Sequence, residues 1–468
     1  MSMYLKKTNH NNSRALLITF AFGVAIGLSV GYALFGFGSS TPEPAPVAAE
    51  PEKPLPSEQA VMTEAEPVSA EAAADVWPGR YLVMGIEGTS LGGDMVELLQ
   101  EVKPGAVVLR DSNLIDAKQA KRLVQQIKEA VGFGTEYADL PLIAIGPDSE
   151  RIAALGFGDA PTALDLAKTN DARKAREAGR KYAEAAVACG INVILAPVLD
   201  VLPQSVAKRS NMSSRVFGED QRLVAVMGLA YADGIVDGGA IPVGKFYPGI
   251  GTAKEVDGRK MVLLDAELAE LAKIMFPFKE AATRSLAGMM VGHVAVPALD
   301  KRDPQRSAAL SPVLVNDILR EYWSYSGVIV ADDVALNPMT KDVETPSPVV
   351  AALEAGCDAV VFLDSDAARV RSTVAAIQAA LDNGQLPMAD RVKSSQRLNT
   401  WVAQLQDTPA AQQGAASVDA PDAEPAPAEA PKAEDVKPVE PESPQSDEGL
   451  GLEPEPEQEM VEPIKFKN

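Results

Sequence analysis

The stretch INVILAPVLDV, residues 191–201, decides the fold. It is apolar on consecutive positions rather than alternate ones, and its only charge is Asp200, next to its end. A strand that is apolar on both faces belongs to a parallel sheet covered on both sides. Seven more runs of this kind occur: YLVMGI (81–86), AVVLR (106–110), PLIAI (141–145), IPVGKF (241–246), AGMMVGHV (287–294), GVIVAD (327–332) and DAVVFL (358–363). Between them lie stretches such as AKQAKRLVQQIKEAV (117–131) and DARKAREAGRKYAEAAVACG (171–190), whose apolar residues recur every three to four positions as in an amphipathic helix. Eight such repeats predict an α/β fold, a closed (β/α)8 TIM-like barrel over residues 76–405.

Barrel active sites sit at the C-terminal ends of the strands. The polar residues expected there are Arg110, Asp111, Asp148, Asp200, Lys245, His293, Asp332, Asp333 and Asp364. Their convergence points to a small-molecule site, although a barrel alone does not name the chemistry.

Outward from the barrel the composition changes. Residues 1–14 are polar and basic and read as a cytoplasmic N-terminus. Residues 15–37, ALLITFAFGVAIGLSVGYALFGF, carry no charge. As a helix at ~1.5 Å per residue this segment is about 34 Å long, enough to cross a bilayer core and longer than the apolar part of a cleaved signal peptide. It reads as one transmembrane anchor. Lys6, Lys7 and Arg14 precede it and predict an inward N-terminus, with the barrel outside the cytoplasm at the inner (cytoplasmic) membrane. Gly23, Gly27 and Gly31 recur every four residues and offer a homodimer face; ordinary glycine usage in a membrane helix is the alternative. Residues 38–75 are a Pro/Glu-rich linker, and 406–468 are an acidic Pro/Ala/Glu-rich tail too poor in apolar residues to fold.

Net charge is −22, and residues 407–468 contribute more than half of it, with 16 acidic and 4 basic side chains. The globular part is mildly acidic, which argues against a nucleic-acid partner. Only two histidines occur, His10 and His293, and the two cysteines, Cys189 and Cys357, are in no metal-ligand spacing, so neither metal nor cofactor is expected. Each cysteine reads as a buried thiol, and a disulfide between them stays open.

Five further motifs fall in order at the predicted strand ends: LAPVLDV (195–201), SRVFGED (214–220), GHVAVPALD (292–300) followed by SAALSP (307–312), SGVIVADD (326–333) and EAGCDAVVF (354–362). Together they resemble glycoside hydrolase family 3, and most closely its single-domain bacterial β-N-acetylhexosaminidases that act on peptidoglycan fragments. The resemblance covers nearly all of 78–405. It implies a retaining hydrolysis with Asp332 as the nucleophile. It also implies that Arg215 and Lys245 grip sugar hydroxyls and that His293 lines the pocket. Read from the residues alone, Asp332 is equally a candidate helix cap. Arg215 and Lys245 are candidates for salt bridges at the barrel rim, and His293 for a structural histidine.

The loop KFYPGIGTAKEVDGR, residues 245–259, departs from the family. The family has Lys-His-Phe-Pro-Gly-His-Gly followed by Asp-Ser-His, whose last histidine is the acid/base. Here Phe246 and Ile250 stand for the first two histidines, and Asp257-Gly258-Arg259 for the Asp-Ser-His. An arginine stays protonated near neutral pH and cannot exchange the proton. Glu255 and Asp257 are the candidate substitutes, since a carboxylic acid with a raised pKa can serve. After the third strand the family's Asp-Gln-Glu-Gly-Gly-Arg becomes Gly146-Pro147-Asp148-Ser149-Glu150-Arg151, leaving Asp148 as the candidate sugar ligand. Three readings follow: an anchored glycosidase for β-linked N-acetylhexosamine in the bacterial envelope, a degenerate relative that binds such glycan as a scaffold, and a barrel enzyme acting on something other than sugar.

Overall fold

The computed structural model describes residues 69, 73 and 75–406, apart from 133–140, 147–154, 157–159, 204–211, 213, 257–260, 336, 338 and 341–346. The expected anchor at 15–37 with its glycine face, the tail beyond 406, nearly all of the linker, Asp148 and Asp257 lie outside the described residues. Among the described residues no helix is long and apolar enough to cross a membrane.

Eight strands close into one parallel barrel in the order β1-β10-β9-β8-β5-β4-β3-β2. They are β1 (Leu82–Gly85), β2 (Ala106–Leu109), β3 (Leu142–Ile145), β4 (Val193–Ile194), β5 (Ile241–Tyr247), β8 (Gly288–Val291), β9 (Val328–Ala331) and β10 (Ala359–Phe362). Seven fall inside one of the eight apolar runs, and β5 extends one residue, Tyr247, beyond its run. Every residue of β1, β2, β3, β8, β9 and β10 is buried, because one strand face fills the barrel and the other meets the helices. The two remaining strands, β6 (Lys254–Val256) and β7 (Met261–Leu263), form an antiparallel hairpin in the β5–β8 connection.

The helices begin and end where the sequence says they should. Asp116 accepts a hydrogen bond from the Gln119 N–H and caps the helix Ala117–Val131, and Gly132 ends it at φ 101°. Asp171 caps the helix Ala172–Ala188 in the same way.

The stretch that decided the fold is shorter as a strand than its apolar run. Only Val193 and Ile194 pair as β4. Pro197 brings no N–H to the ladder, and the Ala196–Pro197 peptide is cis, as are Lys245–Phe246 and Tyr247–Pro248. Pairing resumes as a single bridge between Val198 and Lys245. The Leu195 N–H still donates to the Ile145 carbonyl of β3, and residues 197–199 run alongside the exit of β5.

The opposite end of the barrel is braced by Asp358, which is fully buried just before β10. Arg320 and Arg397 each approach it to 2.7 Å, and the Ile329 N–H and the Ser394 hydroxyl donate to it. Both cysteines are free and buried.

Candidate active site at the C-terminal mouth of the barrel

Two backbone hydrogen bonds set the mouth. The Asp332 N–H donates to the Val291 carbonyl at 2.9 Å, and the Gly292 N–H donates to the Tyr247 carbonyl at 2.8 Å. The exits of β5, β8 and β9 are therefore stitched side by side. Lys245 and Phe246, Gly292 and His293, and Asp332 and Asp333 arrive at one end of the barrel.

The two adjacent aspartates take different parts. Asp333 is buried, and its Oδ1 accepts from the Ala335 N–H at 3.2 Å and from the Leu363 N–H at 2.9 Å, which ties the β9 exit to the β10 exit. Asp332 is half-buried and accepts the Asp333 N–H at 2.9 Å through Oδ1. The bracing work falls on Asp333, so the Asp332 carboxylate keeps acceptor capacity at the mouth.

Arg215 and Lys245 meet around one aromatic ring. The Lys245 Nζ lies 5.1 Å from the centroid of Phe246, and the Arg215 guanidinium carbon lies 5.7 Å from it. Cations over a ring at this range gain about 0.5–2 kcal/mol each, more as water is excluded. Arg215 comes from the turn after residue 212, where its N–H donates to the Met212 carbonyl. The Leu202 N–H donates to the Gly218 carbonyl and holds that turn against the segment that follows β4.

Phe246 and Ile250, which stand in place of histidines, pack over Gly292. A Cβ built on Gly292 would lie 3.0 Å from the Phe246 Cβ and 3.6 Å from the Ile250 Cγ2, so a glycine is needed for this approach. In the same turn Gly249 has φ +115°, a conformation that side chains rarely adopt.

His293 is half-satisfied. Its Nδ1 lies 2.9 Å from the Ser307 hydroxyl, and its buried Nε2 has no hydrogen-bond partner among the described residues. It sits one residue beyond Gly292 and has one ring nitrogen without a fixed role.

Asp200 has a role that sequence reasoning missed. It is fully buried, and its carboxylate gathers three backbone donors: Phe246 N–H at 3.2 Å, Ile250 N–H, and Gly251 N–H at 3.0 Å. Burial pushes its carboxyl up to about 6, against the three amides and the charge of Arg215, which favour the ionised form. The signal in the sequence is a lone carboxylate inside the apolar LAPVLDVLP, because a buried charge must find partners.

Other expected mouth residues serve the scaffold. Arg110 donates to the Ile86 carbonyl, and Asp364 pairs with Arg369 at 2.8 Å. Glu255 lies on β6 opposite Val262. Its hairpin docks through the Ala295 N–H to Val262 carbonyl and Leu264 N–H to Ala295 carbonyl bonds, onto the segment leaving β8. Asp257 and Asp148 are outside the described residues. Among the described residues no three His, Cys, Asp or Glu side chains are grouped to hold a metal ion. The mouth thus carries the half-buried Asp332 carboxylate and, around the Phe246 ring, the Arg215 and Lys245 cations.

Comparison with known proteins agrees with this geometry. A profile described as the glycosyl hydrolase family 3 N terminal domain matches residues 84–401. A β-hexosaminidase of Bordetella parapertussis is 28% identical over 303 residues, which cover 63% of this chain and 82% of that one. The β-hexosaminidase LpqI of Mycobacterium tuberculosis is 29% identical over 273 residues, 56% of this chain and 68% of that one. Among solved structures, a β-N-acetylhexosaminidase from Beutenbergia cavernae superposes with a TM-score of 0.62 at 25% identity, covering 72% of this chain and 99% of that one. A family 3 β-N-acetylglucosaminidase from Paenibacillus shares the fold with a TM-score of 0.63 at 24% identity, covering 72% of this chain and 63% of that one. With the family profile spanning most of the chain and the barrel closing as that family requires, this protein belongs to glycoside hydrolase family 3.

Proposed function

We propose that this chain is a membrane-anchored family 3 glycosidase that acts on β-linked N-acetylhexosamine glycans of the bacterial envelope. Asp332 is the nucleophile of a retaining hydrolysis, and Arg215 and Lys245 hold the sugar hydroxyls. His293 lines the pocket, and Asp148 is the further candidate sugar ligand. Glu255 or Asp257 replaces the absent acid/base histidine. The observation that carries the reading is that the exits of β5, β8 and β9, which carry Lys245 and Phe246, His293, and Asp332, lie side by side at one barrel mouth. The names of the relatives supply the substrate class, and the charge-free segment 15–37 supports the membrane site.

A retaining glycosidase needs a group that protonates the leaving oxygen. General acid–base help of this kind is worth roughly 10²–10⁴-fold. Its weakening falls hardest on a sugar leaving group and lightly on a phenolate. The expected substrate ranking is therefore an aryl N-acetyl-β-glucosaminide first and a natural disaccharide far behind. A second reading is favoured by Phe246, Ile250 and Arg259 at the three histidine positions: a site that holds envelope glycan and does not cleave it.

The test uses the full chain in detergent with para-nitrophenyl N-acetyl-β-glucosaminide and with a β-linked disaccharide. Turnover of the aryl substrate that disappears in Asp332→Ala supports the glycosidase. Binding of both sugars without turnover of either selects the second reading. Neither turnover nor binding sinks both.

A further inference from the structure

The turn at residues 246–251 carries Phe246 and Ile250 where the resemblance would place histidines. Its hold is on the backbone. Asp200, carried by the segment after β4, accepts from the amides of Phe246, Ile250 and Gly251, so both ends of the turn close on one carboxylate. The same segment grips β5 through the Leu199 N–H to Lys245 carbonyl and Lys245 N–H to Pro197 carbonyl bonds. None of these contacts involves a side chain of the turn. A substitution at 246 or 250 therefore leaves the turn in place, and the direction in which Lys245 and Phe246 leave the strand is set from outside the turn.

We infer that Asp200 is the positioning residue of the sugar site: by binding three amides of the 246–251 turn it fixes the Lys245–Phe246 pair beside Arg215. This rests on the sugar-site reading above for its functional consequence, and on backbone geometry for its structural one. Asparagine at 200 offers one acceptor oxygen in place of two. Placed to keep the Ile250 and Gly251 amides, both of which meet Oδ1, it turns its NH2 toward the Phe246 N–H and loses that bond. Alanine loses all three.

The experiment compares the full chain with Asp200→Asn and Asp200→Ala. Hydrogen exchange of the Phe246, Ile250 and Gly251 amides is read beside that of the β8 and β9 amides, together with the affinity for N-acetylglucosamine. In Asp200→Asn the Phe246 amide exchanges about tenfold faster relative to the β8 and β9 amides, which report the global stability, and the Ile250 and Gly251 amides keep most of their protection on the same scale. Sugar affinity falls by about the same factor. In Asp200→Ala all three amides lose protection; if that variant does not fold, the asparagine variant alone decides. Unchanged exchange at Phe246 in Asp200→Asn, or an equal rise across the whole barrel, overturns the inference. A wild-type chain that neither binds nor turns over a sugar refutes the proposed function, while the exchange data still decide the positioning role.

Discussion

Replacing Asp200 by asparagine changes how stability depends on pH, and both the sign and the size follow from the site. The folded protein holds the Asp200 carboxyl at about 6, above the ordinary 3.8, because burial outweighs the three amides and Arg215. Between these two values the folded state binds a proton that the unfolded chain has released. Raising the pH through that window therefore favours the unfolded state, and the wild type loses stability there. Each tenfold difference in proton affinity is worth about 1.4 kcal/mol, so the loss amounts to about 3 kcal/mol. Below the window both states are protonated, and above it both are ionised, so the contribution is flat on each side. Asparagine does not titrate, so the variant carries no pH dependence from this site. The measurement is denaturant unfolding of the two proteins in parallel, from about pH 3.5 to about pH 7, where the difference between them cancels every other titrating group to first order. From the acid end to the neutral end the wild type should lose about 3 kcal/mol relative to the variant. A difference that runs the other way would show that the amides and Arg215 outweigh burial, and would refute the reasoning.

Four further outcomes are expected. Changing Gly258-Arg259 to Ser-His restores a proton donor and should raise disaccharide turnover by roughly 10²–10⁴-fold while raising aryl-glycoside turnover less, as measured by steady-state kinetics. Phe246→Ala removes the ring near Arg215 and Lys245 and should weaken N-acetylglucosamine binding by roughly threefold to tenfold, read by calorimetry, with little change in fold. Gly292→Ala puts a methyl group 3.0 Å from the Phe246 Cβ, so the ring must shift, and sugar affinity should fall more than the melting temperature does. Asp358→Ala strands Arg320 and Arg397 at the far end of the barrel and should cost about 3–5 kcal/mol in denaturant unfolding, without altering the relative ranking of substrates.

The barrel was legible because its signal is repeated. Eight apolar runs each mark one strand, and a break in one run, such as the cis Ala196–Pro197 step, does not disturb the count. The placement of Lys245, His293 and Asp332 at the mouth was equally legible, since each ends or follows a run. The part that Asp200 plays was not. Its neighbours in sequence are apolar, while its partners are amides 46 to 51 residues away, and an amide carries no residue identity for a sequence pattern to register. The division of labour between Asp332 and Asp333 was hidden for a similar reason. It depends on which of two adjacent carboxylates reaches the Leu363 N–H across the barrel wall.

The arrangement of Asp200 holds the 246–251 turn without calling on its side chains. In a turn held by its own side chains, exchanging histidine for phenylalanine or isoleucine would remove the hold together with the proton transfer. Here the carboxylate on the neighbouring segment binds backbone N–H groups, which every residue except proline supplies. The Pro248 and Gly249 positions carry the bend, Gly292 leaves the room, and positions 246 and 250 become free to exchange polar for apolar groups. The apolar pair packs over Gly292 and brings an aromatic ring within about 6 Å of both cations. Shape and chemistry are therefore specified by different residues at this barrel mouth. Positions 246 and 250, two of those at which the resemblance to the family breaks, belong to the second set.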